Sequence, residues 1–174
     1  MNMNTGALYT IATKPINGTF FRYIRTKYGD EPLAVIGSLL NGGRYNVAGL
    51  FGALYLGFDH ETCQAEVSDG IAAGVPFKKG AFTAWDYSVY LSAIVRLDSQ
   101  SIQNELQISK AQITERGNHW TASGIGEHLH KRGDVDGLVA PSAHHVNGLC
   151  LDVFLDRINA PSHVTTGRKL LTWP

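Results

Sequence analysis

The sequence predicts an α+β domain in which strands dominate and form mixed or antiparallel sheets, with a few short helices scattered among them. Three observations carry this reading. Residues 87–97 (YSVYLSAIVRL) alternate and are rich in β-branched and aromatic side chains, the mark of a central strand. Two further apolar runs, GLVA at 137–140 and LCLDVFL at 149–155, are short enough to be buried strands. The helical stretches between them are short and irregularly placed, which argues against a regular βαβ repeat.

At 174 residues the chain is expected to be one domain, residues 1–174, large enough for a substantial core. With 44% hydrophobic and 17% charged residues it reads as globular, not disordered. Fifteen basic residues balance fifteen acidic ones, so no basic excess points to direct nucleic-acid binding. No apolar run approaches the roughly 20 residues of a membrane-spanning helix. The first ten residues, MNMNTGALYT, lack the charged and apolar blocks of a signal peptide, so a cytoplasmic location is expected. Cys63 and Cys150 both lie in apolar contexts and read as buried free thiols of a reducing compartment; a disulfide is compatible with the sequence but not forced by it.

Taken in order, residues 8–13 predict a short strand ended by Lys14-Pro15, and Asn17-Gly18 a turn. Residues 19–24 predict a strand that places Arg22 and Tyr23 on opposite faces. The charges from Arg25 to Glu31 suit a solvated loop, and residues 32–40 a helix with Pro32 in its first turn. Gly42-Gly43 allows a tight turn and a close approach to a ligand, and launches the Arg44 guanidinium from that turn. Residues 53–57 predict a strand with Leu54 and Leu56 on the core face and Tyr55 on the other. Asp59 suits the cap of a helix starting near His60, on which Cys63, Val67 and Ile71 form an apolar stripe. Glu66 sits on or beside that stripe, so its carboxylate should be paired or strongly perturbed.

Beyond this helix, residues 74–80 predict a loop, with Lys78-Lys79 solvated, as are Arg168-Lys169. Residues 106–113 suit either a helix or a strand. Residues 121–131 predict a helix capped by Thr121 or Ser123 and ended at Gly133.

Several local patterns have ordinary structural explanations. Gly124-Ile125-Gly126 is too short for a dinucleotide fingerprint and follows no strand. No Gly-x-Ser-x-Gly surrounds Ser142, which ends the strand 137–140. His119, His128, His130, His144 and His145 have no zinc-like spacing, so no metal is expected. Asn17-Gly18-Thr19 and Arg132-Gly133-Asp134 read as chance matches to short motifs. Glycine turns followed by Arg, packed strand tyrosines and helix-edge glutamates are also common, so Arg44, Tyr55 and Glu66 by themselves leave a cleft and a plain core both open.

A set of short motifs in order narrows the choice. Phe21-Arg22-Tyr23, Gly43-Arg44-Tyr45-Asn46 with Gly49, Leu54-Tyr55-Leu56, Ala65-Glu66 and Ala140-Pro141-Ser142 together resemble the RES domain family, over about residues 19–155. Tyr45 stands where that family often has Trp. The resemblance implies a fold related to ADP-ribosyltransferases, with NAD as substrate in a cleft between two small sheets. It also implies a bacterial toxin that cleaves the nicotinamide–ribose bond and is held in a hetero-oligomer by a helix-turn-helix antitoxin. Under that reading Arg22 and Arg44 hold the pyrophosphate or an attacking inorganic phosphate, and Tyr55 and Tyr23 stack on nicotinamide or ribose. Glu66 stabilises the developing cation, and Ser142 hydrogen-bonds the ribose or a phosphate. Water, phosphate or a protein side chain could each be the acceptor. A protein ADP-ribosyltransferase and a module that binds nucleotide or antitoxin without turnover are the alternatives.

Overall fold

A computed structural model of the protein describes residues 3–72 and 81–173. Six strands and five α-helices follow one another as β1 (Lys14–Arg25), α1 (Ile36–Asn41), β2 (Leu54–Gly57), α2 (His60–Ala72), β3 (Phe82–Arg96), α3 (Gln100–Leu106), α4 (Lys110–Thr114), α5 (Trp120–Arg132), β4 (Gly137–Pro141), β5 (Leu149–Val153) and β6 (His163–Trp173). The architecture is mixed α+β, as the strand-rich pattern predicts.

The strands form one sheet in the order β1-β2-β5-β4-β3-β6, with β1 also paired to β3. Where two small sheets are implied by resemblance, the pairings instead run β1–β2–β5–β4–β3 and return to β1. The link from β1 to β2 is a single register pair, Phe21 with Gly57. The long β3 makes this possible. One edge pairs with β1 along most of its length; on the other, Phe82–Tyr90 meets β6 and Ile94–Arg96 meets β4. Among the described residues only β3–β4 is parallel; α3, α4 and α5 fill that crossover.

The apolar alternation read from the sequence sets the core. Leu54, Leu56, Leu151, Val153, Val139 and β3 residues Tyr87, Val89, Leu91 and Ile94 form one buried cluster. Each such side chain contributes roughly 1.5–3 kcal/mol when fully buried. The opposite faces of β4 and β3 send Leu138, Ala140 and Val95 into a second cluster with Ile113 of α4 and Ala122, Ile125 and Leu129 of α5.

Several expectations are corrected. Residues 8–13 are not a strand: Thr5–Tyr9 is a 3-10 turn in which the Ala7 N–H donates to the Asn4 side chain, and it buries Leu8 and Ile11. Asn17-Gly18 is not a turn but mid-strand, paired with Tyr90 and Val89, because the neighbouring β3 supplies partners that outweigh local turn preference. Pro15 sits where the β1–β3 register shifts, the place in a sheet that tolerates a missing N–H. The helix predicted over 32–40 is shorter and later, Ile36–Asn41. Residues 106–113 straddle the end of α3 and the start of α4, the latter opened by a Ser109/Gln112 capping box. α5 begins after His119 rather than at Thr121 or Ser123, and Gly133 ends it at φ 83° as expected. The strand β6 has no counterpart in the sequence reading. The predicted loop at 74–80 and the Ile71 side chain lie outside what the structure describes.

Candidate functional site

The site begins with α2. Asp59 accepts a hydrogen bond from the Thr62 N–H at 2.6 Å and caps the helix as its sequence suggests. Cys63, 5% exposed, faces the sheet, and its thiol donates to the Phe21 carbonyl at 3.3 Å. One turn on, Glu66 faces the end of β4. Its Oε1 accepts from the Ser142 hydroxyl at 2.5 Å and from the Ala143 N–H at 3.2 Å, with Cys150 Sγ at 3.8 Å. Its Oε2 lies 3.7 Å from His144 Nε2. The carboxylate is therefore paired, as a helix-edge glutamate beside an apolar stripe requires.

Ser142 is itself buried and oriented. Its oxygen accepts from the His144 and His145 N–H groups at 3.1 and 2.9 Å, which leaves the hydroxyl proton for Glu66. Its hydroxyl therefore turns toward Glu66, where the resemblance implies a bond to ribose or phosphate. Burial pushes the Cys63 thiol up to about 12 and the Cys150 thiol well above its usual range, the latter with help from Glu66. Both cysteines are free.

The Gly42-Gly43 turn forms the facing wall. Gly42 has φ 72°, and a Cβ on Gly43 would collide with the Tyr55 hydroxyl, so glycine is needed for this approach. That hydroxyl donates to Asn46 Oδ1 at 2.7 Å and accepts from the Tyr45 N–H at 3.1 Å. Tyr55 thus holds the turn in place while its ring faces away from Leu54 and Leu56, on the side the strand alternation predicts. Burial raises its pKa well above the ordinary phenol value, so it stays protonated. Arg44 Nη1 donates to the carbonyls of Ile113 and Glu115 at 3.3 and 2.8 Å.

Arg22 donates through Nη1 to the carbonyls of Pro32 and Ala34 at 2.9 and 3.1 Å, beside the Tyr87 hydroxyl, which donates to the same Pro32 carbonyl. It props the segment that enters α1. Burial lowers its pKa, and Tyr87 opposes that shift. Tyr23 lies on the other face of β1, with His60 Nδ1 3.3 Å from its hydroxyl and Gln64 Nε2 donating to it at 3.3 Å.

These walls enclose a cavity of about 670 Å³, within the usual range for small-molecule sites. Arg22, Tyr23, Arg44, Tyr55 and Glu66 all line it, whereas Ser142 stands behind Glu66. Arg116, His119, His144 and Cys150 also line it, and no sequence pattern places any of them in a cleft. Nothing local marks Arg116. His144 could have been suspected from its place two residues after Ser142. Among the described residues no three His, Cys, Asp or Glu side chains converge as metal ligands.

Fold and site define a class: an α+β protein whose cleft sets a single, firmly oriented carboxylate among arginines. The chain belongs to the RES domain family, whose profile matches residues 19–171. A search of curated proteins gives no match. Among solved structures, a chain in the crystal structure of the M. tuberculosis MbcT–MbcA toxin–antitoxin complex has a similar fold. The TM-score is 0.72 at 20% identity, covering 94% of this chain and 88% of that one.

Proposed function

We propose that this protein is a toxin that degrades NAD by cleaving the nicotinamide–ribose bond, with phosphate or water as acceptor. The observation that carries the reading is Glu66, clamped through Oε1 by Ser142 and Ala143 while the carboxylate borders a cavity lined by three arginines. Loss of nicotinamide leaves positive charge on the ribose in the transition state. A preoriented carboxylate stabilises such charge without reorganising at the moment of reaction. Arg22 and Arg44 supply the cationic walls that a pyrophosphate needs, and Tyr55 and Tyr23 the aromatic surface for nicotinamide or ribose. Ser142 acts through Glu66 as a positioning residue. A fold related to ADP-ribosyltransferases, which the family resemblance implies, belongs to the same proposal.

A cytoplasmic antitoxin of the helix-turn-helix kind completes the proposal, forming a hetero-oligomer that blocks the cleft. Support comes from the similar fold found in a toxin–antitoxin complex and from exposed apolar side chains next to cavity-lining positions. Ile36 and Leu40 flank Gly37 and Ser38, while Trp120 follows His119 and Val146 lies two residues from His144.

The test is purified protein with NAD, with and without inorganic phosphate, followed by mass spectrometry. Nicotinamide release is expected, with ADP-ribose or its phosphate ester as the second product. Glu66→Ala should lower the rate by about a hundredfold or more while the protein still folds cooperatively. A folded, equally active Glu66→Ala protein would sink the assignment. Nicotinamide release that requires a protein target, with ADP-ribose transferred to that protein, would mark a protein ADP-ribosyltransferase instead.

A further inference from the structure

The segment 115–119, between α4 and α5, forms a strap along one wall of the cavity. One side is fastened by Arg44, whose Nη1 reaches the Glu115 carbonyl at 2.8 Å. The other is fastened by Arg116, whose Nε donates to the Ala143 carbonyl at 3.3 Å, next to the Ser142–Glu66 pair. Gly117, at φ 81°, turns the strap between these anchors, and Arg116, Gly117 and His119 all line the cavity.

The charge placed there is unbalanced. The chain has zero formal net charge, yet its cavity-lining residues include Arg22, Arg44 and Arg116 against one carboxylate, Glu66. Three positive and one negative leave a formal +2. Such concentration in a neutral protein fits an anionic occupant. Of the three, Arg22 is turned onto the Pro32 and Ala34 carbonyls, whereas Arg116 reaches Ala143, whose own N–H donates to Glu66. Partial burial, then the charges of Arg44 and His144, hold the His119 imidazole below its usual pKa, so near neutral pH it offers one N–H donor.

We propose that Arg116, assisted by His119, is a phosphate-binding residue of this cleft and sets its affinity for phosphorylated ligand. The inference rests on the NAD reading for its substrate. The phosphate it holds belongs either to the dinucleotide or to a free phosphate acceptor.

The experiment compares wild type, Arg116→Ala and Arg116→Lys, each full-length and checked by thermal melting. Nicotinamide release is followed from NAD and from nicotinamide riboside, which carries no phosphate, with inorganic phosphate varied. Arg116→Ala should raise a KM by about tenfold to a hundredfold, with kcat changed much less and Lys restoring part of the loss. A rise in the KM for NAD identifies the dinucleotide's phosphates; a rise in the KM for phosphate at saturating NAD identifies the acceptor. Riboside turnover without phosphate should fall much less than turnover of NAD. Unaltered KM values for both, or an equal loss on riboside without phosphate, overturn the inference. If wild type releases no nicotinamide, the NAD reading fails by itself. Calorimetric binding of ADP-ribose then decides the role of Arg116: about tenfold weaker binding in Arg116→Ala supports it, and equal or absent binding overturns it.

Discussion

Asp152 shows how one side chain can carry a measurable signature. It lies on β5, in register with Tyr55 on β2 and Leu138 on β4, and is 1% exposed. Neither carboxyl oxygen has a hydrogen-bond partner among the described residues. Burial, and then the charge of Glu66, raise its pKa well above the ordinary carboxylate range, while Arg44 pulls the other way. The folded state therefore keeps a proton that the unfolded chain releases near pH 4. Its contribution is complete below that pH and declines as pH rises toward the folded pKa, by about 1.4 kcal/mol per pH unit. Urea unfolding between pH 4.5 and 8 should show wild type losing stability relative to Asp152→Asn as pH rises. Identical slopes would mean that Asp152 is ionised in the fold. The candidate site itself was largely readable at this scale, because Arg22, Tyr23, Arg44, Tyr55, Glu66 and Ser142 occur in short motifs in a definite order. Arg116 and His119 were not, because a lone arginine before a glycine has no local signal and gains meaning only from the wall it meets.

Elements reveal why some local patterns mislead. Gly124-Ile125-Gly126 carries no nucleotide fingerprint; Gly126 instead lets α5 press against the Tyr45 backbone, where any Cβ would overlap the carbonyl. Gly126→Ala should destabilise the fold by about 1–3 kcal/mol in chemical denaturation, despite the better helix propensity of alanine. A neutral or stabilising outcome would show that α5 can back away from Tyr45. Caps located the end of α5 and the start of α2 well, since Gly133 and Asp59 act within a few residues of their own positions. They failed where partners are remote. β6 meets the outer edge of β3, and Asn17-Gly18 is drawn into β1 by Tyr90 and Val89.

For the whole molecule, β3 is the axis of the sheet. It pairs with β1, β4 and β6, and Leu91, Ile94 and Val95 are fully buried. Opening those amides requires separating β3 from its neighbours, so their hydrogen exchange should be the slowest in the protein and report global unfolding. The short β2 and its single register pair with β1 should exchange sooner. The opposite ranking would place the stability centre elsewhere.

By itself the sequence determined the α+β class, the central strand, the capped helix bearing Glu66 and the ordered motifs that identify the family. Each depends on side-chain periodicity or on groups within a few residues of one another. Tertiary structure alone decided that Ser142 turns to Glu66, that Arg116, Gly117 and His119 line the cleft and that β1 runs through its glycine. It also gathered three arginines into one cavity of a chain with no net charge. These depend on contacts between residues far apart in the chain, such as Glu66 with Ser142 and Arg44 with Glu115, whose energies no local window contains.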